Sequence, residues 1–135
     1  MGDLLGDRTI SVLSKTLDGM QLRQKVIANN IANVDTPGYK RKDVDFKSQL
    51  KSALDEKDLK LNKTNTKHLS TNANLNQISS KIKVENNTSM RKDKNNVDID
   101  YEMTALAKNQ LEYQATTKLL STKFKKLNSV INKAK

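Results

Sequence analysis

The chain has 135 residues, 35% hydrophobic and 4% aromatic, with one histidine and no cysteine. That is thin material for a self-sufficient core, since soluble domains run about 45–50% apolar on a count that includes glycine. Disulfides and thiolate metal sites are excluded, and His68 alone leaves little histidine chemistry. The net charge is +10 and sits mostly in the middle: residues 36–95 hold fourteen basic and seven acidic side chains, whereas residues 1–35 are neutral.

The N-terminus lacks a basic region followed by an apolar stretch, so no cleaved secretory signal is expected. No run approaches the ~20 apolar residues of a membrane span. The first periodic segment is Ile10, Leu13, Leu17, Met20, Gln24, Ile27, Ile31 and Val34. Spacings of three and four alternate, which keeps one stripe on one helix face and suits coiled-coil packing. The helix would run roughly 37 Å. Pro37 disfavours helix at Thr36, and Pro37-Gly38 suits the centre of a type II turn.

Residues 40–95 read as a basic middle arm. Phe46, Leu50 and Leu54 predict a short helix from about Val44 to Leu54. Leu59 and Leu61, then Lys81-Ile82-Lys83-Val84, are short alternations that suit small strands. The Asn-, Lys- and Thr-rich stretches between and after them bury too little to offset ordering entropy, so an exposed, mobile arm is expected.

The last segment repeats the stripe: Ile99, Met103, Leu106, Gln110, Tyr113, Thr117, Leu120, Phe124, Leu127 and Ile131. The helix would run roughly 48 Å. Acidic residues open it and lysines close it, which complements the helix macrodipole, and Asp98 or Asp100 can cap its first turn. The expected fold is therefore mainly α. The N- and C-terminal helices (1–39 and 96–135) pair as an antiparallel coiled coil around an irregular, flexible arm. Two helices cannot cover both stripes and their flanking apolar residues, so further association is expected. The assembly seam would comprise Leu13, Leu17, Met20, Ile27, Ile31, Met103, Leu106, Gln110, Tyr113, Leu120, Phe124 and Leu127.

The most informative stretch is Ala28-Asn29-Asn30-Ile31-Ala32-Asn33-Val34-Asp35-Thr36-Pro37-Gly38-Tyr39-Lys40. Asparagine is a poor helix-interior residue, so three in five positions call for compensating contacts. Capping and turn chemistry alone explain Asn33 and Pro37-Gly38, but not Asn29 and Asn30. This stretch resembles the N-terminal signature of the bacterial flagellar rod and hook family of axial proteins, carried here by Asn29, Asn30, Ala32, Asn33, Thr36, Pro37, Gly38 and Tyr39. Asn95-Asn96-Val97-Asp98-Ile99-Asp100-Tyr101-Glu102-Met103 and Asn109-Gln110-Leu111-Glu112-Tyr113-Gln114 look like the opening of that family's C-terminal helix. The short length, Lys67-His68-Leu69 and Phe124-Lys125-Lys126-Leu127 look most like a proximal rod member. One departure is Asn95, where a glycine is expected; asparagine also tolerates a left-handed backbone.

The resemblance implies a non-enzymatic subunit exported unfolded through the flagellar type III apparatus without a cleaved signal. It would stack helically with itself and other rod proteins on a basal adaptor at the membrane ring. It would lie in the periplasmic rod and transmit torque for motility. Such a subunit needs no cofactor or metal. Another rod subunit of the same family is one alternative, and a basic nucleic-acid-binding helix protein is the alternative from another class, but positive charge without a docking motif is a weak signal. Neither terminal helix sets a strongly basic face opposite its stripe, which argues against a membrane-surface helix, and no direct membrane insertion is expected. His68 lies in a polar stretch without a triad, and Asp55, Glu56 and Asp58 read as a solvated turn.

Overall fold

The computed structural model describes residues 3–55, 80–86 and 92–133. Helix α1 spans Asp3–Ala32, strand β1 Lys42–Asp45, helix α2 Lys47–Asp55, strand β2 Lys81–Val84 and helix α3 Ile99–Lys133. The two long helices pack antiparallel. Asn95, just before α3, meets the C-terminal end of α1, and Asn109, further along, reaches Met20. This is the predicted pairing of terminal helices.

The middle differs from the expectation at its start. Val44 opens no helix; it lies in β1, and α2 begins at Lys47. β1 pairs antiparallel with β2, in the register Lys42↔Val84 to Asp45↔Lys81. Of the two expected strands, Lys81–Val84 forms, while Leu59 and Leu61 lie outside the described residues, as does His68. β1 hides its strand character because only one of its four residues is apolar. Two of the others form ion pairs instead: Asp43 lies 3.5 Å from Arg23, and Asp45 lies 2.5 Å from Lys83. Asp45 also accepts a hydrogen bond from Ser48 at the start of α2. Lys83 first, then Ser48, holds the Asp45 carboxyl below its ordinary range.

The apolar core is small and lies where β1 crosses α1. Met20, Val26, Val44 and Phe46 are buried together, with Leu22 packed against them. The stretch after the signature is thus anchored by the two apolar residues Val44 and Phe46. Gly19 permits this approach. A Cβ there would stand 2.6 Å from the Phe46 ring. Overpacking of this kind typically costs about 1–3 kcal/mol. Gly19→Ala should lower stability by about that amount. Urea unfolding monitored by circular dichroism checks this, and an unchanged midpoint would mean that the ring moves aside freely.

The α3 surface that faces α1 is mostly polar. Glu102, Asn109 and Thr116 are its buried residues, each seven positions from the last. They stand one position before Met103, Gln110 and Thr117 of the apolar series. At about 100° per residue this offset turns much of that series sideways. Met103, Tyr113, Phe124 and Leu127 remain 53%, 39%, 52% and 41% exposed. No helix among the described residues is long and apolar enough to cross a membrane.

Candidate functional site: a polar corner and an uncovered helix face

The signature forms a corner that ties three elements together. α1 closes with two tight i→i+3 bonds, Asn33 N to Asn30 O at 3.1 Å and Val34 N to Ile31 O at 3.3 Å. Pro37 and Gly38 then occupy the centre of a turn closed by Tyr39 N to Thr36 O at 3.2 Å. Gly38 has φ 75°, as the third position of a type II turn requires. Asn33 donates to Asn29 O at 2.7 Å and accepts from the Thr36 hydroxyl at 3.2 Å.

Asn30 is fully buried. Its amide imitates a neighbouring strand: Nδ2 donates to Lys42 O at 2.7 Å, and Oδ1 accepts from Lys42 N at 3.0 Å. Oδ1 also accepts from the Tyr39 hydroxyl at 3.3 Å. Burial, and then the nearby Glu102 charge, raise the Tyr39 pKa, which keeps that donor protonated. An intrachain contact therefore compensates Asn30. Asn29 and Ala32, by contrast, are exposed, along with Thr36, Pro37 and Gly38.

Asn95 seals the other side. It too is fully buried. Its Nδ2 donates to Asn33 O, Val34 O and Thr36 O at 2.9, 2.8 and 2.9 Å, and its Oδ1 accepts from Val97 N at 2.8 Å. It thus ties together carbonyls of the turn that follows α1, two of which also accept from the backbone amides of Thr36 and Tyr39. The left-handed residue is Lys94, with φ 60°, and not Asn95. The expectation of a glycine-like backbone was one position late. Lys94→Gly should raise stability by up to about 1 kcal/mol. An increase in thermal midpoint checks it, and a decrease would mean that the Lys94 side chain contributes more than its backbone costs.

A buried ion pair joins the corner to α3. Arg41 Nε lies 2.5 Å from Glu102 Oε1, and Arg41 Nη1 lies 2.6 Å from Glu85 Oε1. The guanidinium stands 4.6 Å from the centre of the Tyr101 ring. Burial opposes the Arg41 charge, but the hydrogen bonds that Arg41 donates to Glu102 and Glu85 outweigh it and raise its pKa. Asn96 adds backbone ties, accepting from Arg41 N at 2.7 Å and donating to Glu85 O at 2.8 Å. Asp98 caps α3 as expected, accepting from Asp100 N at 2.9 Å and Tyr101 N at 3.2 Å. Sequence periodicity missed Arg41, Glu102 and Asn109, because it counts apolar residues only. The seven-residue spacing of Glu102, Asn109 and Thr116 was the available signal.

The seam residues divide into two groups. Met20 and Ile27 are buried within the chain, and Leu13, Leu17, Ile31, Leu106 and Leu120 are half-buried. Met103, Gln110, Tyr113, Phe124 and Leu127 are exposed on α3. The corner presents hydrogen bonds that fix backbone, and its Glu85 and Glu102 carboxylates pair with Arg41. Among the described residues, no cluster of three or more His, Cys, Asp or Glu could hold a metal ion.

The sequence that builds this corner and its two long helices matches known proteins along nearly the whole chain. The family model described as flagella basal body rod protein matches residues 10–40. The chain is 38% identical over 130 residues to a protein of Borreliella burgdorferi, covering 93% of this chain and 96% of that one. It is 39% identical over 132 residues to one of Bacillus subtilis, covering 94% and 95%. It is 34% identical over 130 residues to one of Escherichia coli, covering 93% and 94%. The chain belongs to the flagellar basal body rod protein family. Each of those three relatives is a flagellar basal body rod protein FlgB.

Proposed function

We propose that this chain is a structural subunit of the flagellar basal body rod, placed at the rod's proximal end. The observation that carries this reading is its near-full-length similarity to FlgB proteins. The subunit stacks helically with other copies and with the other rod proteins, between an adaptor at the membrane ring and the distal rod and hook. It reaches its periplasmic site through the flagellar export apparatus and passes motor torque along the rod. Its role is mechanical rather than catalytic.

The exposed residues of the seam support contact with neighbours. Stable monomers rarely leave large apolar patches in water. Met103, Tyr113, Phe124 and Leu127 are the α3 members of that surface, while Met20 and Ile27 hold the subunit together.

Genetics tests both parts. A strain lacking this chain should keep the membrane ring but build no rod, and should not swim. Complementation with Met103→Asp should restore secretion without motility, because Met103 is 53% exposed and its change spares the fold. Swimming by the deletion strain would overturn the function, and swimming by the complemented variant would remove Met103 from the seam.

A further inference from the structure

The two-stranded sheet has one closed edge and one open edge. Glu85 N donates to Arg41 O at 2.8 Å, so these residues form a hydrogen-bonded pair. In an antiparallel ladder such pairs alternate, which makes Asp43 with Lys83 and Asp45 with Lys81 the next ones. The backbone groups of Lys42 and Val44 therefore point away from β2, and those of Ile82 and Val84 point away from β1. The β1 edge is occupied. Lys42 N and O bond the Asn30 amide, and Val44 N donates to Asp43 Oδ1 at 2.8 Å. On the β2 edge, the outward N–H and C=O groups of Ile82 and Val84 meet no partner among the described residues.

The side chains along that edge alternate. Ile82 stands opposite Val44 and shares its face with Val84; the two are 51% and 49% exposed. Lys81 and Lys83 occupy the other face. Asp45 holds Lys83 at 2.5 Å, while Lys81 forms no ion pair among the described residues. Lysines on an edge usually keep other strands away. A strand that neutralises them escapes that penalty.

We propose that the open edge of β2 binds an extended acidic segment of a different protein as a third strand. Backbone geometry fixes the form of the occupant. Outward N–H and C=O groups at alternate residues match another strand, whereas a helix bonds its amides internally and lipid chains offer none. Charge fixes the composition. In the added ladder Ile82 and Val84 become the hydrogen-bonded positions. Lys81 and Lys83 then fall at the non-bonded positions, where facing side chains come closest. Carboxylates there meet lysines, and β-branched apolar residues between them meet Ile82 and Val84. A second copy of β2 fits less well. The register that joins all the outward groups sets Lys83 directly against its counterpart, and the Glu85 carboxylate that would face Lys81 is already held by Arg41.

The test uses the full chain and two synthetic peptides, one alternating Val with Glu and the other Val with Lys. Hydrogen exchange followed by NMR reads single amides. The Val-Glu peptide should slow exchange at Ile82 and Val84 by about tenfold or more, with little change at Lys83, whose amide points to β1. N-methylation of its Val amides should abolish the effect, because those donors face β2; N-methylation of its Glu amides should not. Val84→Pro removes one outward donor, and Lys81→Glu reverses the free charge. Each should weaken binding about tenfold or more while leaving the helical circular dichroism unchanged. Equal binding of the Val-Lys peptide, or of the peptide methylated at Val, would overturn the proposal. So would unchanged exchange at Ile82 and Val84, or their protection by self-association of the chain alone. None of these outcomes bears on whether the deletion strain builds a rod, so the two readings fail separately.

Discussion

Replacing Glu102 with alanine should lower the unfolding free energy by about 3–5 kcal/mol, as expected when one partner of a buried ion pair is removed. Glu102 is fully buried, and the Arg41 side chain beside it is 7% exposed. Without the carboxylate, the guanidinium keeps Glu85, the half-exposed Glu85 side chain being only part of its present compensation. A typical domain has about 5–15 kcal/mol in hand, so this loss removes a large share of the total. The urea midpoint measures the loss. The double variant Arg41→Met, Glu102→Leu should recover much of it, because two apolar groups leave no charge uncompensated. A loss below about 1 kcal/mol for Glu102→Ala would show that water solvates the pair after all.

Asn95→Ala should be nearly as severe, at about 2–4 kcal/mol, since one truncation removes several hydrogen bonds together, that to the buried Val97 amide among them. One side chain serves Asn33, Val34 and Thr36 carbonyls and the Val97 amide. Asn95→Asp should rescue nothing. A carboxylate has the size of the amide but accepts only, so it would face three carbonyl oxygens with no donor. Thermal unfolding of the two variants separates size from hydrogen-bond direction. An Asp variant as stable as the parent would mean that the Nδ2 bonds contribute little.

Regular features could be read from the residues directly. The Asp98 cap, the Pro37-Gly38 turn and the two long helices follow from local rules that need no partner across the chain. The polar corner does not. Nothing local marks Asn95 as more than a turn residue, because its partners lie about sixty positions away. Asn30 stood out as a poor helix residue, yet its partner at Lys42 belongs to a strand that has a single apolar residue. The α3 stripe was visible, but its direction was not. Counting apolar residues predicts that the stripe faces α1, whereas the buried residues of α3 are Glu102, Asn109 and Thr116, and Asn109 bonds α1 directly at Met20. Arg41 and the Met20 carbonyl supply the bonds that make the polar contact acceptable.

The corner also determines how the hairpin bears force. All the ties around Asn30, Asn95 and Arg41 lie where α1 ends and α3 begins, whereas the start of α1 and the end of α3 lie at the far end of the pair. Tension that spreads that far end loads one turn of packing at a time, and the helices part like a zip. Tension along the helix axes loads the whole contact in parallel, with the corner as a fixed hinge. The subunit is thus compliant to peeling from one end and stiff to sliding, and its mechanical resistance depends on the direction of the pull more than on the stability of the fold.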